Sequence, residues 1–226
     1  MKPIETVIFD MDGLMIDSEP IQLKAVNDAL KPLQLSVSEA QFIDIVGQKS
    51  IENFAHLKQK YGFTENIETL EQNKNKAYKK RIQQELKPMP GLYQALDLCK
   101  ENNINLALAS SSIKADIDMV LKILGLENTF AAMVSGDEVK KGKPDPAIFL
   151  KALEKLDIEP SRVAVLEDTA HGINGAKTAG MMTIAIPNRF TARQDFSNAD
   201  IMLESLTGFN MEILYYLASG GRGGAF

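Results

Sequence analysis

The chain has 226 residues, with 25 Lys and Arg against 30 Asp and Glu for a net charge of −5, and 45% of its residues are hydrophobic. This is an ordinary globular composition, which excludes a disordered chain, a collagen-like repeat and a disulfide-stapled miniprotein. The length corresponds to about one and a half domains of ~150 residues, so it suits either one large domain or a core with an attachment.

Cys99 is the single cysteine, which rules out an intramolecular disulfide and disfavours a thiolate zinc site. The acidic balance speaks against nucleic acid as a partner. No stretch approaches the ~20 apolar residues of a membrane helix, and the first apolar run is cut short at Asp10, so it does not read as a leader. The expectation is a monomeric cytoplasmic protein that takes a small anionic ligand through a local positive site.

Thr6-Val7-Ile8-Phe9 is a β-branched and aromatic run that predicts a buried strand ending at Asp10-Met11-Asp12-Gly13. Ser18, followed by Glu19 and Pro20, is placed to cap a helix. From Ser18 to Leu86 the patterns are helical, and Glu65 to Glu85 predicts a long, largely solvated helix. Pro88 and Pro90-Gly91 punctuate the return to a different rhythm. Helices are predicted at Leu92 to Lys100, Ile113 to Leu124, Pro146 to Leu156 and Gly172 to Ala179. They alternate with apolar strands at Ile104 to Ala109, Ala131 to Val134, Val163 to Leu166 and Thr183 to Ile186.

Such alternation predicts a parallel sheet covered on both faces. The fold class is therefore α/β: a Rossmann-like parallel-sheet core at 1–15 and 87–226, interrupted by an all-helical cap at 16–86. The glycine-rich residues 219–226 read as a flexible tail.

Asp10 and Asp12 stand at the carboxyl end of the first strand, where open parallel sheets bind ligands. Two carboxylates so close repel unless a cation or proton is shared, and hard oxygen ligands suit Mg²⁺. The plain alternative is a turn pair before Gly13. Glu167 and Asp168 repeat the arrangement after the strand Val163 to Leu166, where the alternative is a helix cap supplied by Asp or Thr. Ser110, at the end of another strand, offers a hydroxyl and backbone N–H groups to an anion, although serines there are often simple caps. In the run Lys140 to Pro146, Lys140 and Lys141 read as solvated. Lys143, held between Gly142 and Pro144, is the lysine placed to reach inward.

The ordered set Asp10-x-Asp12-Gly13, Ser110, Lys143-Pro144 and Glu167-Asp168 resembles the haloacid dehalogenase-like superfamily of phosphotransferases. Phe9 to Leu14, with Asp17-Ser18-Glu19, is similar to its branch with a helical cap inserted after the first strand. The resemblance runs from Val7 to about Leu206. It implies Asp10 as nucleophile, forming an aspartyl-phosphate, and Asp12 as the acid that protonates the leaving oxygen and then activates water. Ser110, Ser111 and Lys143 would hold the phosphoryl oxygens. Mg²⁺ would be held by Asp10, the Asp12 backbone carbonyl and Asp168, with Glu167 acting directly or through water. An acid at position 12 points to phosphate esters rather than to dehalogenation.

The resemblance implies a phosphatase of sugar or polyol phosphates, with a β-phosphoglucomutase-type mutase as the alternative. Mutases of that branch carry a cap His where this chain has Gln22, and an Arg in the loop here written Gly47-Gln48-Lys49-Ser50. Lys74-Asn75 does look like their cap pair, so Gln22, Lys49 and Lys74 are the candidate substrate residues of the cap. A third possibility, a phospho-acceptor signalling module, lacks both a large helical insert and the need for Asp12. Hinges are expected at Asp17-Ser18 and at Lys87 to Pro90, allowing closure over the phosphoryl group. His56, Cys99 and the Met181-Met182 pair read as structural, and His171 as incidental to a helix start.

Overall fold

A computed structural model describes residues 3–46 and 50–220. These fall into two compact units, Met1–Ile16 with Pro88–Phe226, and Asp17–Lys87. In chain order the elements are β1 (Thr6–Phe9), α1 (Glu19–Leu30), α2 (Glu39–Ile43), α3 (Ser50–Tyr61), α4 (Ile67–Glu85), α5 (Leu92–Glu101), β2 (Asn105–Ala109) and α6 (Lys114–Leu124). They continue with β3 (Ala132–Val134), α7 (Ala147–Leu156), β4 (Val163–Glu167), α8 (Ala170–Thr178), β5 (Met182–Ala185), β6 (Ile201–Met202) and α9 (Met211–Ala218).

In the first unit the described strands form one six-stranded sheet in the order β3-β2-β1-β4-β5-β6, with every pairing parallel. β1 lies where the winding reverses, with β2 and β3 on one side and β4 to β6 on the other. Phe9 is opposite both Leu108 and Leu166, so the carboxyl ends of β1, β2 and β4 come out at one edge. This is the crevice position of open α/β sheets.

The continuous apolar strands are explained by burial on both faces. Ile8, Ala107, Ala109, Val163 and Val165 share one cluster with Ile148, Phe149 and Ala152 of α7 and Ala176 of α8. Their strand neighbours Val7, Phe9, Leu108, Ala164 and Leu166 point to the opposite side and are fully buried there as well.

β6 is an addition to the predicted strands. Its two residues pair with Ile184 and Ala185, and Met202 is exposed, so it carries no apolar run to betray it. The edge is held by Asp200, whose carboxylate accepts from the Thr183 backbone N–H at 2.7 Å and from its hydroxyl at 3.0 Å.

In the second unit all the regular elements described are helical. α1 buries Ile21, Ala25, Val26, Ala29 and Leu30, while the polar helix α4 buries only Leu70, Lys74, Tyr78 and Ile82. Those four recur every fourth residue, a single stripe that explains how so polar a helix is retained. Burying Ile82 completely contributes about 1.5–3 kcal/mol. Arg81 bridges α1 and α4, donating to Asp28 and Glu85 at 2.7 Å each, and Lys24 pairs with Glu85. The hydrogen bond from Arg81 holds the Asp28 carboxyl below its ordinary range.

The capping expectation for Ser18 is corrected. Its backbone is already helical, at φ −84° and ψ −26°, and its hydroxyl makes no cap bond, so α1 begins without a side-chain cap. A capping hydroxyl needs an extended backbone behind it. Ser38 and Asn66 have that geometry and do cap α2 and α4.

Candidate active site

The β1 ladder closes with the Asp10 N–H donating to the Leu166 carbonyl at 3.1 Å, which places Asp10 beside the end of β4. The chain then turns tightly. The Gly13 N–H donates to the Ile16 carbonyl at 2.9 Å, and Gly13 sits at φ +81°, a conformation that favours glycine.

Lys143 reaches into this edge from the loop before α7. Its ammonium donates to Asp10 Oδ1 at 2.5 Å, to Glu167 Oε1 at 2.6 Å and to the Ala109 carbonyl at 3.1 Å. One side chain thus ties together the ends of β1, β2 and β4. The Phe149 ring lies 5.2 Å from the ammonium, a cation–π distance. Asp10, Glu167 and Asp168 are all buried, and each offers a carboxylate oxygen within 4.8 Å of the others'.

Burial dominates the Asp10 carboxyl and pushes it up to about 8, against the opposing charge of Lys143. Burial also disfavours the charged Lys143, but the Asp10 and Glu167 carboxylates outweigh it and hold the ammonium charged. Three carboxylates against one ammonium leave two negative charges uncompensated when all are ionised. Hard oxygen donors with that surplus fit a divalent cation.

Glu167 is fixed from several sides. Its Oε2 accepts from the Thr169 N–H at 2.9 Å and the Thr169 hydroxyl at 3.0 Å. The same hydroxyl accepts from the Gly172 N–H, so Thr169 both caps α8 and orients the carboxylate. Gly172 leaves the room Glu167 occupies, since a Cβ there would fall 1.8 Å from Glu167 Oε1.

Asp12 is not among these three carboxylates, although its charge acts on Asp10. It is half-buried, and its Oδ2 accepts from the Ser112 hydroxyl at 2.7 Å. Ser110 is buried, and its hydroxyl oxygen accepts from the Ser112 N–H at 3.1 Å, closing a turn at the end of β2. Ser111 is exposed, and its carbonyl lies so close to Gly136 that a Cβ there would meet it at 2.1 Å.

The structure therefore brings Asp10, Lys143, Glu167 and Asp168 together, with Asp12 and Ser110 on the adjoining loops. Sequence reasoning missed Ser112, the partner of Asp12. It also missed Asn188, which donates to Asp168 Oδ2 at 2.8 Å. Ser112 had a faint signal as the last of three serines, and Asn188 had none.

Gln22 and Lys74 lie in the helical unit. Gln22 Oε1 is buried with no hydrogen-bond partner among the described residues. Lys74 is buried on α4 with its ammonium 5.4 Å from the centre of the Tyr78 ring. Lys49, and the glycine-rich tail from 221 onward, lie outside the described residues.

A parallel sheet whose carboxyl edge carries carboxylates for a cation and a buried ammonium suits the handling of a phosphoryl group. Residues 7–186 match the haloacid dehalogenase-like hydrolase family, and the chain belongs to it. It is 35% identical over 181 residues to the phosphorylated carbohydrates phosphatase of Thermotoga maritima, covering 80% of this chain and 84% of that one. It is 32% identical to hexitol phosphatase B of Escherichia coli K12, covering 91% and 94%. It is 30% identical to the β-phosphoglucomutase of Bacillus subtilis, covering 94% of each. The chain is an enzyme of the phosphoric monoester hydrolase class. No described helix is long and apolar enough to cross a membrane.

Proposed function

We propose that this enzyme hydrolyses phosphate monoesters of sugars or polyols through a covalent intermediate on Asp10, with Mg²⁺ as its metal. One observation carries the reading. Asp10 is buried against Lys143 within the acidic cluster, while the Asp12 carboxylate two residues on accepts a hydrogen bond from the Ser112 hydroxyl. The two aspartates thereby have different surroundings, one beside the Lys143 ammonium and one in reach of a hydroxyl donor, which suits a division of roles between nucleophile and acid/base. The names of the phosphatase relatives support the substrate class.

In the first step an Asp10 oxygen attacks phosphorus and the ester oxygen leaves with the proton from Asp12. In the second, Asp12 takes a proton from water, and that water attacks the phosphoryl group on Asp10, releasing inorganic phosphate. Lys143, Ser110 and Ser111 would receive the phosphoryl oxygens. Asp10, Glu167, Asp168 and the Asp12 backbone carbonyl would hold Mg²⁺, which supplies positive charge between an anionic nucleophile and an anionic substrate. Gln22, Lys49 and Lys74 are proposed to select the substrate from the helical unit. We place the enzyme in the cytoplasm as a monomer.

The test is turnover of p-nitrophenyl phosphate and of a sugar-phosphate panel with and without Mg²⁺. Wild-type enzyme is expected to release phosphate only with the metal, and Asp10→Asn to be inactive. An active Asp10→Asn enzyme, free of deamidation, rejects the covalent route. With β-glucose 1-phosphate and a bisphosphate primer, free phosphate is the expected product. Glucose 6-phosphate without it favours the mutase.

A further inference from the structure

We propose that Asn188 is a positioning residue that sets the metal affinity of the site by fixing the Asp168 carboxylate. The inference rests on the metal site described above, and it concerns a residue to which no role has been given.

Asn188 lies in the loop after β5, the strand beside β4. Its Oδ1 accepts from the Phe190 N–H at 2.8 Å, an Asx turn. Its own N–H donates to the Thr191 hydroxyl at 3.0 Å, and the Thr191 N–H donates back to the Asn188 carbonyl at 3.1 Å. Phe190 and Thr191 are fully buried, so the turn is anchored from below.

Because Oδ1 is committed to a backbone donor, the orientation of the carboxamide is decided, and the amide nitrogen faces the other way. It donates to Asp168 Oδ2 at 2.8 Å and to the Gly13 carbonyl at 3.2 Å. One amide therefore links the loop carrying Asp10 and Asp12 to the loop carrying Asp168. The bond to Oδ2 restrains the rotation of a buried carboxylate, and with it the range of positions open to Oδ1.

Partners of this kind behind a ligating group ordinarily change metal affinity by about 10–100-fold. The effect falls on binding of the ion rather than on the chemical step, so turnover recovers when the metal is saturating.

The experiment is calorimetric titration of the full-length, metal-free enzyme with Mg²⁺ and with Mn²⁺, alongside thermal unfolding. Asn188→Ser keeps an oxygen that can accept from Phe190, but it is too short to reach Asp168. Asn188→Ala removes both functions and provides a second variant should the first misfold. Gln194→Ala is the control, because Gln194 supports the same loop by accepting from the Ala170 N–H at 2.8 Å without touching a carboxylate.

The expected result is a Kd raised about tenfold or more in Asn188→Ser, near wild type in Gln194→Ala, and a kcat restored by excess Mg²⁺. A wild-type Kd in a folded Asn188 variant overturns the proposal, as does an equal loss in Gln194→Ala, which assigns the effect to loop order. A wild-type enzyme that binds neither ion rejects the metal reading itself, a separate outcome.

Discussion

Replacing Gly172 by alanine is the sharpest perturbation the site offers, because its sign runs against the usual rule. Gly172 is in the first turn of α8, and glycine to alanine inside a helix ordinarily stabilises by about 0.5–1 kcal/mol. Here the new methyl carbon would fall 1.8 Å from Glu167 Oε1 and 2.0 Å from its Cδ, whereas real Cβ contacts begin near 3.0 Å. The carboxylate must withdraw by more than an ångström. It is fully buried and held by Lys143 at 2.6 Å and by the Thr169 N–H and hydroxyl at 2.9 and 3.0 Å.

A retreat of that size breaks at least two of the three bonds. Hydrogen bonds to charged groups contribute about 1.5–3 kcal/mol each, so the loss is about 3–6 kcal/mol before the helix gain is subtracted. A net destabilisation of about 2–5 kcal/mol lowers Tm by about 5–20 °C in a chain of this size. Thermal unfolding and phosphate release are the assays. Gly142→Ala, where an added Cβ meets nothing within 4 Å, is the control and is expected to leave Tm in place. A Gly172→Ala enzyme as stable and as active as wild type refutes the packing argument and the importance of the Glu167 position together.

Three further outcomes are expected. Lys143→Met leaves Asp10 and Glu167 buried without their counter-charge, so the metal-free protein should lose about 3–5 kcal/mol in urea unfolding, with a divalent ion restoring part of it. The Asp10 carboxyl, raised by burial from its ordinary 3.8 to about 8, keeps in the folded state a proton that the unfolded chain has released. Its contribution to metal-free stability therefore falls as pH rises from about 4 to about 8. A metal that displaces this proton should raise Tm more at pH 8.5 than at pH 6.5, and equal increments at the two pH values count against it. Cys99 is fully buried and its thiol is pushed up to about 12 by burial, so a thiol reagent should label native protein only as it unfolds, and immediate stoichiometric labelling contradicts this.

The strands of the core were legible because burial on both faces favours a continuous apolar run. Val7 to Phe9 and Val163 to Leu166 announce themselves by that alone. β6 escaped because an edge strand of two residues, one half-buried and one exposed, needs no such run. Ser18 misled because a serine before Glu and Pro carries the composition of a cap but not the extended backbone, and φ and ψ are settled by packing that composition does not record. The reverse holds for α4. Its sparse apolar residues read as a solvated helix, yet one residue per turn was sufficient to seat it.

The same division runs through the site. Asp10, Lys143, Glu167 and Asp168 were readable because each stands at a strand end or a stiffened turn, where chain order and sheet topology together predict convergence. Ser112 and Asn188 were not, because each acts on a carboxylate through a contact made across the fold, and Gly172 was not, because its closeness to Glu167 arises only once the turn into α8 has formed. Ser112 is a hundred residues from Asp12, and Asn188 is 175 from the Gly13 carbonyl it holds. A serine in a serine run, a glycine near a helix start and an asparagine after a proline are ordinary choices wherever they occur. Their meaning depends on the carboxylate that lies opposite. The residues bearing charge at this site follow from local sequence, whereas those that aim the charge follow only from the three-dimensional arrangement, and substitutions at the second group test that arrangement most directly.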